Sequence, residues 1–382
     1  MNSAEHVEVG DSIEIALPDG TRVSAASTPI IEVGGVPLTY GEIVALGGDF
    51  YGSATPISDL GSADVRAARF ADAFGQLETE RAEPLTRIRD ILRLEQRAIA
   101  DARAATPPHE PSTAYAALGD SLSLQWSEVA DKQGPSYGEL LYGNLDHFGD
   151  DARTAYRVGH RAAVEAASAA TETSALLRAY AMNAFADHFL TDLFAAGHVR
   201  TPRRALAELP GAPIPASGLL ALVMHDEDNR LGLDVTNARG DRWTAYGDAQ
   251  ELDARSARNR ESAIEAVQAS VDDVFRAFQQ GRADASDAPD ASEPAALALA
   301  PVADADAEAP GRNHAPLFRV EADRAVLRRG GVAGNWPDQG DWSFTTDWAL
   351  LPMVETILRG MVADGAQANF AHAIAADLGI TP

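Results

Sequence analysis

The run Asp187-His188-Phe189-Leu190-Thr191-Asp192-Leu193-Phe194-Ala195-Ala196-Gly197-His198 decides how this chain is read. His188 and Asp192 stand four residues apart, so on a helix both side chains leave one face a single turn apart. In that geometry an imidazole and a carboxylate can bind one ion. Gly197 is a natural helix stop, and His198 follows it where the chain can turn a third ligand back. The surrounding sequence is rich in alanine, and it predicts two neighbouring helices over residues 150–171 and 173–197.

Working outward, His160 lies on the first of those helices, and Asp146 precedes it by fourteen residues at the helix mouth. The pair can offer Asp146, His160, His188 and Asp192 to one metal, leaving His198 for a second. Downstream, Met224-His225-Asp226-Glu227-Asp228-Asn229 supplies His225 and Asp228 at i, i+3, which complete a second site beside His198. Glu227 is an alternative ligand; Asn229 is less suited, because a neutral amide is a poor zinc ligand beside a carboxylate. One His–Asp pair at helical spacing is commonly just a surface pair. Several at matching spacings, between Asp146 and Asp228, point to metal. There is no cysteine, so any zinc must be held by His, Asp and Glu; this hard set also suits manganese or iron.

Residues 7–38 alternate polar with β-branched residues, with Asp19-Gly20 and Gly34-Gly35 at turn positions, and read as a strand-rich leader over 1–39. From residue 40 the period changes. Helices are expected over 63–79, over 84–104 with Pro84 in the first turn, and over 255–279. Together, 40–280 form a helical catalytic domain. Between 281 and 313 the composition collapses to Ala, Asp, Pro and Glu, an acidic linker or insertion with little apolar surface to order it. Residues 314–382 combine a short strand pattern from Leu317 to Leu327 with a helix near 350–377, a mixed α/β region of unknown role. The expected fold class is mainly α.

The 382 residues carry 57 Asp plus Glu against 31 Lys plus Arg, a net charge of −26. Such a surface repels phosphate backbones and argues against general nucleic-acid binding and against docking on anionic lipid. Zwitterionic lipid or a soluble phosphodiester is compatible with it. No stretch approaches eighteen uninterrupted apolar residues, so at most peripheral membrane contact is expected. The start shows no basic segment followed by an apolar run; the expectation is a cytoplasmic protein or one exported as an effector by a signal-independent route.

His-x3-Asp-x5-His on a helix, preceded by Asp-x13-His, resembles the zinc-dependent phospholipases C and their relatives, the single-strand-specific zinc nucleases. The string from His188 to Arg203 is similar to a bacterial phospholipase C branch, and the resemblance spans residues 40–250. It implies a phospholipase C-like multi-helix bundle holding two or three Zn2+. By resemblance, Asp146, His160, His188 and Asp192 hold the first zinc, Asp192 bridges toward a third, and His198, His225 and an acidic residue near Asp228 hold the second. Asp146 is the implied catalytic group that orients or deprotonates the attacking water.

The chain departs from the family in two places. The family uses an N-terminal tryptophan amine and a nearby histidine for the third zinc, and a methionine start before a strand-like leader predicts that arrangement to be missing; Asp49 or His147 is the candidate substitute. The acidic partner of His225 also sits one residue off the usual spacing. Arg200 and Arg203 are candidates to clamp a phosphate, and Phe50, Tyr51, Trp243 and Tyr246 to wall a quaternary ammonium, although surface ion pairs and core packing are the commoner uses of such residues. His6, His109, His314 and His372 fall outside the pattern. The expected activity is zinc-dependent hydrolysis of a glycerophospholipid to diacylglycerol and a phosphorylated headgroup. The rivals are a single-strand nuclease and a non-catalytic metal-binding interaction protein.

Overall fold

A computed structural model describes residues 1–119, 121–129, 131–143, 145–283, 293–304, 313–330, 342–365 and 368–381. Among them the fold is mainly α, with α1 (Ser3–Asp11), α2 (Tyr40–Leu46), α3 (Ala63–Glu78), α4 (Ala82–Ala104), α5 (Ser112–Leu118), α6 (Ser121–Ser127), α7 (Tyr137–Gly143), α8 (Gly149–Ala169), α9 (Thr173–Asp192), α10 (Ala196–Arg200), α11 (Arg203–Ala207), α12 (Ile214–Leu231), α13 (Ala257–Ala283), α14 (Leu350–Asp364) and α15 (Ala368–Leu378). The strands are short. β1 (Glu14–Ala16) pairs with β2 (Arg22–Ser24) and β3 (Ile31–Val33) with β4 (Val36–Leu38), both antiparallel. β5 (Leu233–Thr236) lies between β6 (Arg242–Ala245) and β7 (Val302–Ala303), and β9 (Val326–Arg329) lies between β8 (Phe318–Val320) and β10 (Phe344–Thr345).

The helix α9 is the axis of the molecule. Its sequence is apolar on nearly every side, as a helix surrounded by others requires, and it packs on α8, α2 and α13. Tyr180, Phe185 and the following Phe194 are fully buried; each contributes about 1.5–3 kcal/mol by leaving water. Close approach of α8 and α9 depends on Gly159, where a Cβ would lie 2.6 Å from that of Ala186 and 2.3 Å from the Phe70 ring. The sequence of α9 thereby places His188 and Asp192 in the deepest part of the core.

Two expectations about the outer segments are corrected. The strand-rich leader holds both hairpins, but residues 3–11 are helical, not extended. Val7 and Val9 would suit a strand, yet here their burial follows a helix that is tied at its first turn by buried carboxylates: Glu5 accepts the Asn2 N–H and Glu95 the Ala4 N–H. Part of the segment expected to be an acidic linker, residues 293–304, is instead packed on the core. Residues 284–292 and 305–312 of it lie outside the described residues, but Ala296, Leu297, Leu299 and Ala300 between them are buried in the main core, and β7 pairs with β5.

A second apolar cluster joins the C-terminal region to α12 through Leu219, Leu220, Met224, Val354, Leu358 and Ile374. The expected strand pattern is β8 and β9. The expected single helix is two, α14 and α15, interrupted at Gly365, whose φ of +80 ends α14 in a left-handed turn.

Candidate metal centre

Asp192 ends α9, buried, with nitrogen atoms converging on both of its oxygens. Toward Oδ2 lie His147 Nδ1 at 2.7 Å and His188 Nε2 at 3.4 Å. Toward Oδ1 lie the Met1 α-amine at 2.6 Å, His198 Nδ1 at 3.3 Å and His6 Nε2 at 3.5 Å. Asp49 Oδ1 stands 4.0 Å from both His147 Nδ1 and His188 Nε2. On the far side of His198, His225 Nε2 is 3.0 Å from His198 Nε2 and 3.0 Å from Asp248 Oδ2, and Asp248 Oδ1 is 3.0 Å from the Met1 amine.

Among the described residues, three groups in this region have ligand atoms within 4.8 Å of one another: His6, His188 and Asp192; Asp49, His147 and His188; and His198, His225 and Asp248. Each comes from a different place in the chain. His6 is on α1, Asp49 in the turn after α2, and His147 just before α8. His188 and Asp192 belong to α9, His198 to α10, His225 to α12, and Asp248 to the turn after β6.

The hydrogen-bonding pattern around these groups is that of ligands oriented from behind. His188 Nδ1 donates to the Val44 carbonyl at 2.9 Å, leaving Nε2 aimed inward. His6 Nδ1 meets Thr191 Oγ1 at 2.8 Å, and His225 Nδ1 meets Asp226 Oδ1 at 2.8 Å. A carbonyl or carboxylate behind an imidazole fixes the tautomer that a metal needs. Meanwhile His6 Nε2 is buried and makes no hydrogen bond, and ring nitrogens face each other at 3.2 Å (His188 and His147) and 3.0 Å (His198 and His225). Buried polar atoms left without partners cost free energy unless something pairs with them.

Electrostatics follow the same lines. Burial pulls His188 down to about 3 despite Asp192, and holds His6 well below the usual imidazole range. Burial opposes the charged form of His225 too, but Asp248 overcomes it and pushes His225 up to about 10. Burial likewise disfavours the charged Met1 amine, while Asp192 and Asp248 win and push it up to about 12. Asp49 is driven up to about 7 by burial, against the pull of His147.

Of the residues singled out from sequence, Asp49, His188, Asp192, His198 and His225 are brought together; Asp146, His160 and Asp228 are not. Asp146 accepts the Ile57 and Ser58 amides at 2.6 and 2.9 Å, holding the 57–58 turn instead of an ion. His160 faces away from Asp192, in a core network where its Nδ1 meets Asn183 Oδ1 at 2.7 Å and Asp187 accepts from Tyr40 and Ser270. Asp228 is bound by Arg200, 2.7 Å away, and by His314, also at 2.7 Å. The group of Glu227, Asp228 and His314 has metal-like spacing, but Arg329 grips both oxygens of Glu227 at 2.7 and 2.9 Å, so its charge is already matched.

The candidate clamps are likewise engaged elsewhere: Arg200 on Asp228, and Arg203 on the Tyr142 carbonyl. Phe50 packs with Trp126 and Tyr137, Tyr51 donates to Glu80, Trp243 to Asn259, and Tyr246 lies under Arg255; no common wall forms.

His6, Asp248 and the amine were not read from sequence as ligands, and His147 only as a substitute or supporting residue. The family's tryptophan is absent, as expected, and α1 folds back so that the Met1 amine sits on Asp192. A signal for Asp248 did exist, since Gly247-Asp248 repeats the Gly48-Asp49 pair.

The fold and site together define a mainly helical protein with buried His/Asp groups that could hold metal ions. No family model matches the chain, and no curated protein or solved structure matches it.

Proposed function

We propose that this protein is a metal-dependent phosphodiesterase, of the phospholipase C type, whose ions are zinc. The observation that carries the metal reading is the convergence of buried imidazole nitrogens and carboxylate oxygens around Asp192, with ring nitrogens facing each other at 3.0 and 3.2 Å and His6 Nε2 lacking a hydrogen-bond partner. The donor set is imidazole, carboxylate and amine with no sulfur, which suits catalytic zinc. Asp49, His147, His188 and Asp192 would hold one ion, with His6 beside it, and His198, His225 and Asp248 a second.

Bound zinc supplies Lewis acidity toward a phosphoryl oxygen and brings the pKa of water near neutrality. The chain's own residues orient and exclude. Asp192 lies 3.4 Å from His188 Nε2 and 3.5 Å from His6 Nε2, and backs His198 through its Nδ1 at 3.3 Å. Val44, Thr191 and Asp226 hold imidazole tautomers, and Phe148 covers His198 with ring centroids 4.6 Å apart. Asp49 keeps 31% of its side-chain surface exposed, which makes it the carboxylate placed to meet a substrate or accept a proton, the role first given to Asp146.

Support for a lipid over a nucleic acid is the acidic surface, together with the engagement of Arg200 and Arg203 away from the cluster. No helix of the described residues is long and apolar enough to cross a membrane. The test is zinc-loaded protein assayed on phosphatidylcholine vesicles, on a chromogenic phosphodiester and on single-stranded DNA. Release of phosphocholine is expected. Cleavage of DNA or of the chromogenic ester, with every phospholipid spared, overturns the lipid part of the proposal.

A further inference from the structure

Asp248 is the one ligand of the second group that no helix carries. It sits in a turn whose next residue, Ala249, has φ +69, a left-handed conformation that alanine rarely adopts. Such a turn persists only where its surroundings hold it. The holder is Glu5, fully buried in the first turn of α1. Its Oε2 accepts the Ala249 N–H at 3.1 Å and its Oε1 the Glu251 N–H at 2.9 Å, while Oε2 also accepts the Asn2 N–H at 2.8 Å. A single carboxylate thus joins the strained turn to the helix that bears His6, and at the start of the same segment the Met1 amine meets Asp248 Oδ1 at 3.0 Å.

A second buried carboxylate, on α4, also binds α1 and provides a contrast. Glu95 accepts the Ala4 N–H at 3.0 Å and the Tyr115 hydroxyl at 2.8 Å, and so anchors the same helix without bonding to the 248–251 turn.

We infer that Glu5 is a positioning residue: its carboxylate fixes Asp248 against His198 and His225, and so couples the second metal position to helix α1. The inference rests on the metal reading above. Without Glu5, Ala249 relaxes toward ordinary backbone angles and Asp248 swings away from the two imidazoles. In Glu5→Gln one oxygen becomes an NH2 group facing an amide N–H, so one of the two amide bonds to the turn is lost.

The experiment titrates metal-free full-length protein with Co2+, reading stoichiometry calorimetrically and the ligand field by visible absorption, with thermal unfolding measured alongside. Wild type is expected to bind more than one ion. Glu5→Gln is expected to hold one ion about 10–100-fold more weakly, with the absorption of the remaining site unchanged. Glu95→Ala is expected to lower the melting temperature and leave the titration as in wild type. If Glu5→Gln does not fold, Glu5→Asp, one methylene too short to span both amides, is expected to show the same loss. A wild-type titration for the Glu5 variants, or equal metal loss in Glu95→Ala, overturns the coupling while the metal reading stands. A wild-type protein that binds no ion overturns both.

Discussion

Gly48→Ala offers a test of the site's packing that needs no knowledge of substrate. Gly48 has φ +71, and an added Cβ would sit 2.4 Å from His188 Cδ2, 2.5 Å from His188 Nε2 and 3.0 Å from His147 Cε1. The left-handed conformation alone costs an L-residue about 1–2 kcal/mol. The overlap adds about 1–3 kcal/mol, because the His188 ring cannot simply retreat: its Nδ1 is bonded to the Val44 carbonyl and α9 is packed on every side. The sum, roughly 2–5 kcal/mol, falls on the imidazole that two of the three groups share. In the metal-free protein the melting temperature should drop by several degrees, since 1 kcal/mol corresponds to about 2–4 °C in domains of this order of size. Zinc affinity should fall as well, as His188 Nε2 is displaced from Asp192. Scanning calorimetry and a competitive chelator titration measure the two effects. A variant with both the melting temperature and the zinc affinity of wild type would refute the geometry on which the site is built.

Other expected outcomes follow from individual contacts. Burial raises Glu95 from 4.5 to about 7, so the native state binds its proton more tightly than the unfolded chain. This contribution to stability is full below about pH 4.5 and is lost as pH rises through about 7, a limb worth roughly 3 kcal/mol. Urea unfolding of metal-free wild type and Glu95→Gln between about pH 5 and pH 8 should show a shallower decline in the variant; equal slopes would contradict the assignment. Arg329→Met leaves Glu227 buried without its cation and should cost about 3–5 kcal/mol, read as earlier unfolding and easier proteolysis of residues 314–381. Asp146→Ala should destabilise by about 1–3 kcal/mol through the orphaned Ile57 and Ser58 amides and keep wild-type metal content, whereas Asp49→Ala should lose metal with little change in the melting temperature of the metal-free protein.

How far the site was legible in sequence depended on the reach of each interaction. His188 and Asp192 were legible because a helix converts a spacing of four into one shared face, whereas the glycine stop expected before His198 was misplaced: α9 ends at Asp192, and Gly197 lies within α10, where a Cβ would sit 2.4 Å from the His225 carbonyl oxygen. The mainly α class followed from the same Ala-rich segments. Asp146, His160 and Asp228 have suggestive spacings but are claimed by partners that spacing does not reveal: the 57–58 amides, Asn183 and Arg200. His6 and Asp248 were missed for the complementary reason. They reach Asp192 and His225 from opposite ends of the helical region, and only the tertiary fold brings α1 and the 248–251 turn together. The helical start was misread because Val7 and Val9 alternate like strand residues, while the forces that favour a helix there, the buried carboxylates Glu5 and Glu95, act through backbone amides and leave no periodic trace.

Metal content with anomalous diffraction at the zinc edge reaches the centre of this account. Protein purified in zinc should hold at least two ions, one bounded by Asp49, His147, His188 and Asp192 and one by His198, His225 and Asp248. A zinc-soaked crystal with no anomalous peak near Asp192, or with its only peak at Glu227, Asp228 and His314, would contradict it.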